Sequence, residues 1–361
     1  MESAFLKKSI LEIFAATITI STLIQPLYVS AETNNYTNKS KLDYISETDY
    51  INGMNKVEKS LDQLRQSGYF TGKNNLQIYY EKYLVSNAKA AIVISHGFSE
   101  NITKYHEVIY YFTSQGYSVF GLDHRGHGRS GRLGGDATQT SVEDFDYYID
   151  DLKTFMDQIV LKESTKNFLY AHSMGGGIAA LFLERYSNYF KAAVLNAPMM
   201  DINTGKIPKA IVKVIATVNQ LSPLKYRYVP GHGPYSEIPD FENSCTTSKV
   251  RYDYYFNQTL ANKDLRSGGA SYLWFKQALD ATHELTQAGN ASKVTIPVIL
   301  FQAENDSFVQ PAGHTAFANA AKNCKIILVK KAKHEIYRET DSIMKPYFEA
   351  VFKFLADNQL L

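Results

Sequence analysis

Ser173 lies in the sequence YAHSMGGG (170–177), between a short apolar run and a segment with helical periodicity. A serine on a sharp turn between a strand and a helix is exposed for nucleophilic attack, and such a turn requires small residues nearby. Ala171 and Gly175 supply them, two positions away on each side. The N–H of Met174 would open the helix, where a free N–H can stabilise an oxyanion. The pattern therefore predicts Ser173 as a nucleophile and Met174 as an oxyanion donor.

A serine nucleophile needs a base to accept its proton and a carboxylate to orient that base. Asp306 and His334 each follow a short apolar run in the C-terminal quarter of the chain. If both runs are parallel strands, both side chains lie at the same sheet edge as Ser173. We expect Asp306 to be the acid and His334 the base. Glu304 and Glu335 are weaker alternatives for the acid, because Glu304 still belongs to the strand and Glu335 follows the histidine too closely to orient it.

A second oxyanion donor is expected from the loop after the first buried strand, ISHGFSENITKY (94–105). The backbone N–H of Phe98, which follows His96 and Gly97, is the candidate. Because the backbone supplies the hydrogen bond, the Phe98 side chain matters less in this prediction. His96 is interpreted as a structural loop histidine.

The loop LDHRGHGRSGR (122–132) places His124 and His127 beside Asp123, a spacing that raises the question of a metal site. No third ligand stands at a useful distance along the chain. The intervening glycines indicate a loop whose polar side chains satisfy backbone groups. We therefore predict no metal, and the two-step chemistry of a serine nucleophile needs no cofactor.

The elements that would position these residues alternate between short apolar strands and longer amphipathic helices. Strands are predicted at 75–85, 90–97, 117–124, 167–173, 192–198, 297–304 and 325–332, the first of them in an antiparallel hairpin. Helices are predicted at 103–115, 141–162, 174–187, 311–321 and 341–357. This alternation predicts an α/β fold whose mainly parallel sheet is flanked by helices on both faces.

The alternation stops at 201–287, so the core is predicted to comprise 61–200 and 288–361 with a mostly helical lid inserted between them. A separately folded domain is the alternative for this insertion. An apolar stripe at helical spacing runs through its first part, formed by Ile207, Ile211, Val214, Ile215, Val218 and Leu221. The stripe could admit an acyl chain, or it could pack the lid onto the core.

Residues 1–31 have the layout of a signal peptide, with Lys7 and Lys8 before an apolar run and the small residues Val29-Ser30-Ala31 after it. Cleavage near Ala31 and an extracytoplasmic location are expected. An uncleaved membrane anchor is the alternative, because the apolar run approaches the length that spans a bilayer. Residues 32–60 are predicted to form a polar N-terminal extension.

The chain of 361 residues has a formal net charge of only +2 and no dense Lys/Arg block, which argues against a nucleic-acid partner.

The two cysteines, Cys245 and Cys324, are too few for a disulfide scaffold, and the sequence does not show whether they pair. Oligomeric state is not predicted.

Six segments together resemble one protein family. HGFSENITKY, DHRGHGRSGR, AHSMGGG, NAPM, QAENDSFV and KHEIYRE occur in the order seen in the lysophospholipase and monoacylglycerol lipase branch of the α/β hydrolases, which is also classed with the serine aminopeptidases. The resemblance covers roughly residues 65–357. It implies the α/β-hydrolase fold, Ser173, Asp306 and His334 as the triad, and Phe98 and Met174 as the oxyanion donors.

The resemblance implies a serine hydrolase that cleaves esters of single-chain lipids, a lysophospholipid or a monoacylglycerol. Peripheral contact with membrane lipid is a further expectation. A short-chain carboxylesterase or a peptidase on the same triad is the alternative among enzymes, since one fold hosts several chemistries. A catalytically silent binding protein is the alternative outside enzymes.

Overall fold

The computed structural model describes residues 27–28 and 42–359, and these residues form one nine-stranded sheet. The strands are β1 (Leu27–Tyr28), β2 (Arg65–Thr71), β3 (Gln77–Tyr83), β4 (Ala91–Ser95), β5 (Ser118–Leu122), β6 (Asn167–His172), β7 (Ala192–Asn196), β8 (Val298–Ala303) and β9 (Cys324–Val329). Their order across the sheet is β1-β9-β8-β7-β6-β4-β5-β3-β2. Only β2 and β3 are antiparallel to their neighbours.

Helices cover both faces of this sheet. They are α1 (Tyr50–Asp62), α2 (His106–Ser114), α3 (Asp146–Phe155), α4 (Met174–Tyr186), α5 (Lys209–Gln220), α6 (Lys249–Ala261), α7 (Tyr272–Leu285), α8 (Ala288–Ala291), α9 (Pro311–Ala320) and α10 (Asp341–Asp357). Successive residues of β4 enter different cores: Val93 packs in one buried cluster, and Ile92 and Ile94 in the other. This alternation is the one expected of a strand covered on both faces.

The position of the site follows from the strand order. The chain runs from β4 to β5 on one side, then crosses back to place β6 on the other side of β4. At such a reversal the connections leave in opposite directions and open a crevice at the carboxyl ends of the strands. The loops after β4 and β6, which carry Phe98 and Ser173, border this crevice.

The predicted fold class is confirmed. All seven predicted strands and all five predicted helices are present, including the antiparallel pairing of β3 with β2. Boundaries agree to within a few residues, except that the segment predicted as a helix at 141–162 begins at Asp146 and ends in a π-helical turn, Met156–Val160.

The N-terminal predictions fall partly outside the described residues. Within 1–31 the structure describes only β1, a two-residue strand at the edge of the sheet, so it leaves the signal peptide untested. Within 32–60 the described part is not simply polar, because α1 buries Tyr50, Met54 and Val57 against the core. No helix in the described part of the chain is long and apolar enough to cross a bilayer.

The insertion at 201–287 contains helices α5, α6 and α7. The apolar stripe predicted there belongs to α5 and its flanks, and its six side chains are between 43% and 82% exposed. The alternative in which the stripe packs the lid onto the core is therefore wrong: α5 buries only Ala216. Cys245 and Cys324 are both free thiols, so they form no disulfide with each other.

Candidate active site

Ser173 occupies a strained turn between β6 and α4. Its backbone has φ +51° and ψ −119°, a conformation that non-glycine residues rarely adopt. Gly175 permits this turn to approach the neighbouring strand, because a Cβ at that position would overlap the carbonyl oxygens of Ser95 and His96. Gly175, one of the two small residues predicted beside the serine, is therefore required by close packing at the end of β4.

Three side chains from different strand ends form one hydrogen-bonded series. Ser173 Oγ lies 2.8 Å from His334 Nε2, and His334 Nδ1 lies 2.7 Å from Asp306 Oδ2. Asp306 follows β8 and His334 follows β9. The structure thus brings together the three residues that the sequence assigned to a triad, although they are separated by up to 161 positions.

The surroundings of Asp306 favour its carboxylate form. Its Oδ1 accepts hydrogen bonds from the N–H groups of Phe308 (2.8 Å) and Val309 (3.1 Å). Burial alone would raise the pKa of Asp306, but the hydrogen bond and charge of His334 and these two N–H groups hold the pKa below its usual value. A charged carboxylate at this place can orient His334 and stabilise its protonated form.

Glu304 and Glu335, the alternative acids, have other partners. Glu304 accepts a hydrogen bond from Lys331 N at 2.8 Å, and Glu335 contacts the side chains of Lys104 and Arg338. Neither carboxylate is hydrogen-bonded to His334 in the described residues, so the geometry favours Asp306.

The two candidate oxyanion donors lie on adjacent loops. Met174 is the first residue of α4, and N–H groups in the first turn of a helix have no intrahelical acceptor. Phe98 lies in the loop after β4. Hydrogen bonds of its two neighbours, Gly97 and Ser99, hold this loop in place. The N–H of Gly97 donates to Glu100 Oε2 at 2.7 Å, and Ser99 Oγ donates to the carbonyl of Gly268 at 2.7 Å.

The Phe98 side chain does more than the sequence indicated. Its ring centroid lies 4.4 Å from that of Trp274 in α7 and 6.2 Å from that of His232. Both of these residues belong to the 201–287 insertion. The oxyanion loop is therefore packed directly against the insertion through its side chain, while its backbone N–H remains the candidate donor.

A buried ion network behind the site was missed by sequence reasoning. Lys104 Nζ lies 2.7 Å from Glu100 Oε1 and 2.5 Å from Glu335 Oε1, and all three side chains are buried. Glu100 also holds the Gly97 N–H, and Glu335 directly follows His334. The network thus connects the oxyanion loop to the loop that carries the base. The partners are up to 231 positions apart, so the sequence does not show that they pair. The only available signal is that charged residues occur within 94–105 and within KHEIYRE.

The histidines of the glycine-rich loop form hydrogen bonds within this loop and to the neighbouring residues at the end of β4. His124 Nε2 lies 2.9 Å from Ser95 Oγ, and the N–H of His124 donates to His96 Nε2 at 2.8 Å. Burial lowers the pKa of His96 to about 4 and that of His124 and His127 below the usual range. These three side chains are therefore neutral near pH 7 and brace the loop after β4.

The family model described as serine aminopeptidase, S33 matches residues 86–341. The chain belongs to this family of α/β hydrolases. The hydrolase is 31% identical over 300 residues to lysophospholipase L2 of Escherichia coli (strain K12), covering 80% of this chain and 87% of that one. It is 24% identical to a monoacylglycerol lipase of Mycolicibacterium smegmatis, covering 77% of this chain and 92% of the relative.

A solved structure agrees with the fold of this hydrolase. The thermostable carboxyl esterase of Bacillus coagulans superposes with a TM-score of 0.66 at 17% identity, covering 82% of this chain and 99% of that one. At this identity the likeness concerns the fold alone.

Proposed function

We propose that this hydrolase cleaves the carboxylic ester of a single-chain lipid through an acyl-enzyme, with Ser173, His334 and Asp306 as its catalytic residues. The observation that carries the proposal is the continuous series Ser173 Oγ, His334 Nε2, His334 Nδ1 and Asp306 Oδ2, at 2.8 and 2.7 Å. The strained backbone at Ser173 supports it, because such strain is concentrated at functional sites.

The geometry suits acyl transfer in two steps. His334 Nε2 takes the hydroxyl proton as Ser173 Oγ attacks the ester carbonyl, and Asp306 stabilises the imidazolium that forms. The N–H groups of Phe98 and Met174 donate to the oxyanion. His334 then gives the proton to the leaving alcohol. In the second step His334 accepts a proton from water as the water oxygen attacks the acyl carbon. His334 then returns this proton to Ser173 Oγ as the fatty acid is released.

The substrate class rests on the relatives. Lysophospholipase L2 and monoacylglycerol lipase are the names of two proteins that align over most of this chain. Both names refer to single-chain lipid esters, and the lipid class is proposed for this chain on that basis. A peptidase or a short-chain carboxylesterase would use the same triad. A binding protein without catalytic activity would not need the triad.

The test is a substrate panel hydrolysed by the full chain and by its Ser173→Ala variant. The panel comprises lysophosphatidylcholine, a monoacylglycerol, a diacyl phospholipid, p-nitrophenyl esters of several chain lengths and an aminoacyl amide. We expect hydrolysis of the single-chain lipids, and a fall in kcat of about 10⁶-fold in Ser173→Ala. Cleavage of the amide alone would move the function to a peptidase. If no member of the panel is hydrolysed, the alternative of a catalytically silent binding protein is favoured.

We propose that the chain is exported and contacts membrane lipid peripherally. The support is the basic, apolar and small-residue layout of residues 1–31. Cleavage after Ala31 would remove β1, which has two residues and lies at the sheet edge, so the other eight strands would keep their order. N-terminal sequencing of the protein isolated from its native cells tests this, with Glu32 expected as the first residue. An intact Met1 in a cytoplasmic fraction would contradict export.

A further inference from the structure

A short segment of the insertion lies against the loop that carries His334. Residues 244–247 form this segment, which we call the strap, and α6 begins two residues after it. The N–H of Glu335, the residue directly after the base, donates to the carbonyl of Cys245 in the strap at 2.8 Å. The main chain on this side of His334 is therefore bonded to the insertion.

The main chain on the other side of His334 is bonded to the strap through the carboxylate of Glu339. Its Oε1 accepts the N–H of Lys333, the residue directly before the base, at 2.6 Å. Its Oε2 accepts the N–H of Thr247 in the strap at 3.0 Å, and also the Thr247 hydroxyl. Glu339 is fully buried. Because its two oxygens bind different segments, this carboxylate fixes the strap relative to the base loop.

Two further contacts bond the strap to both ends of the same loop. Thr246 Oγ1 donates to the carbonyl of Arg338 at 2.6 Å, and Lys333 Nζ donates to the carbonyl of Ser244 at 3.1 Å. Thr246 is buried, and a hydrogen bond in such surroundings is stronger than one in water. The base lies between Lys333 and Arg338, so the strap holds the loop before and after it.

The position of His334 makes this support important. Strand β9 ends at Val329, so the base lies five residues beyond the sheet, on a loop. Loops are more mobile than the strands they follow, whereas reacting groups must be held to within about 0.5 Å. His334 must stay within hydrogen-bond reach of Ser173 Oγ and Asp306 Oδ2, which lie at 2.8 and 2.7 Å. Contacts from outside the loop are therefore needed to fix the base.

We propose that the strap and Glu339 position His334 for proton transfer, so that the insertion helps to build the catalytic site. The proposal rests on the proposed function, because it concerns the same reaction. Glu339 and Thr247 act through the main chain beside the base and touch no reacting atom, so they are positioning residues. A displacement of the base by about 1 Å lowers the rate by about 10²-fold.

The test compares two esters of the same acyl chain that differ in the leaving group. Nitrophenolate departs without a proton, whereas the alcohol of a glyceryl ester takes a proton from His334 as it leaves. A displaced base therefore slows acylation by the glyceryl ester more than acylation by the nitrophenyl ester. A smaller folded fraction lowers both rates equally. The full chain and its variants are compared by kcat/KM, which reports acylation.

Glu339→Gln is the main variant, because its amide group would set an N–H donor against the N–H of Lys333 or of Thr247. We expect kcat/KM to fall by about 10²-fold for the glyceryl ester and by clearly less for the nitrophenyl ester. Thr247→Val removes only the hydroxyl of an exposed residue and should give a smaller loss with the same preference, which Thr247→Ser restores. The matched control is Glu242→Gln, at an exposed glutamate just before the strap, and it should leave both values unchanged.

A second measurement needs no substrate. The proton between His334 Nδ1 and Asp306 Oδ2 gives a ¹H NMR resonance at very low field while this hydrogen bond is formed. We expect the resonance to shift or broaden in Glu339→Gln and to stay in place in Glu242→Gln. Because no turnover is involved, this readout separates failure of the positioning proposal from failure of the proposed hydrolysis.

Two results would overturn the proposal. Equal losses on the two esters, together with an unchanged low-field resonance, would mean that the strap and Glu339 only stabilise the fold. Unchanged kcat/KM for both esters in Glu339→Gln would mean that His334 needs no support from the insertion.

Discussion

Asp306→Asn is expected to lower kcat by about 10⁴-fold while leaving the fold intact. The Asn Oδ1 can still accept the hydrogen bonds that Phe308 N and Val309 N now donate to the carboxylate. The Asn amide N–H would then face His334 Nδ1, where Asp306 Oδ2 now lies at 2.7 Å. An N–H donor at this place forces the proton of His334 onto Nε2, which can then no longer accept the proton of Ser173.

The measurement is steady-state hydrolysis of a p-nitrophenyl ester together with the midpoint of thermal unfolding. Glu304→Gln is the matched control, because it changes a carboxylate two positions away whose partners are Lys330 and Lys331. We expect this control to keep kcat near that of the unmodified chain. The assignment of the acid fails if Asp306→Asn keeps more than about a tenth of kcat, a loss far smaller than a tautomer change produces.

The central fold could be predicted because its signals are local. Strands β4 to β7 are buried along their whole length, so each reads as a short continuous apolar run. The helices between these strands are long enough for the helical spacing of their apolar residues to be recognised in the sequence. Nucleophile, acid and base could then be placed from strand ends alone, since parallel strands bring their carboxyl ends to one edge.

Two elements near the N-terminus have weak signals: a hairpin partner of β3 was expected without bounds, and no helix was predicted within 32–60. Strand β2 is mostly exposed and buries only Phe70, so it lacks both the apolar run and a clear alternation. Helix α1 buries Tyr50, Met54, Val57 and Leu61 at helical spacing, but polar residues fill the positions between them and the segment reads as a polar extension. In both cases it is the tertiary packing that decides the structure.

The sequence also does not show which way the apolar side of an amphipathic helix faces. The period of the apolar stripe in α5 predicts an amphipathic helix, but it does not say whether the apolar side turns to the core or to the surroundings. In the structure this side faces outward, Ala216 is buried, and Lys209 and Lys213 pair with Asp201 and Asp280. Such contacts between distant residues cannot be seen in the order of the letters. The same holds for the Glu100–Lys104–Glu335 network.

The insertion is fixed to the core through Arg251 of α6. This guanidinium is fully buried and contacts Glu107 of α2 and Asp341 of α10, each at 3.0 Å. It also donates to the carbonyls of Ile45 and Glu339. Three segments that are distant in sequence from α6 therefore meet at its cation, and α6 is held to the core although it belongs to the insertion.

Arg251→Met is expected to lower the free energy of unfolding by about 3–5 kcal/mol, because it leaves the buried Glu107 carboxylate without its cation. Urea denaturation measures this, and Lys249→Met is the control: Lys249 is exposed on the same helix and pairs with Asp253, so its loss should cost about 1 kcal/mol or less. Adding Glu107→Gln to Arg251→Met should cost less than the sum of the two single changes, since no charge is then left unpaired. Additive losses, or a loss no larger than that of Lys249→Met, would mean that α6 is not held to the core by this cation.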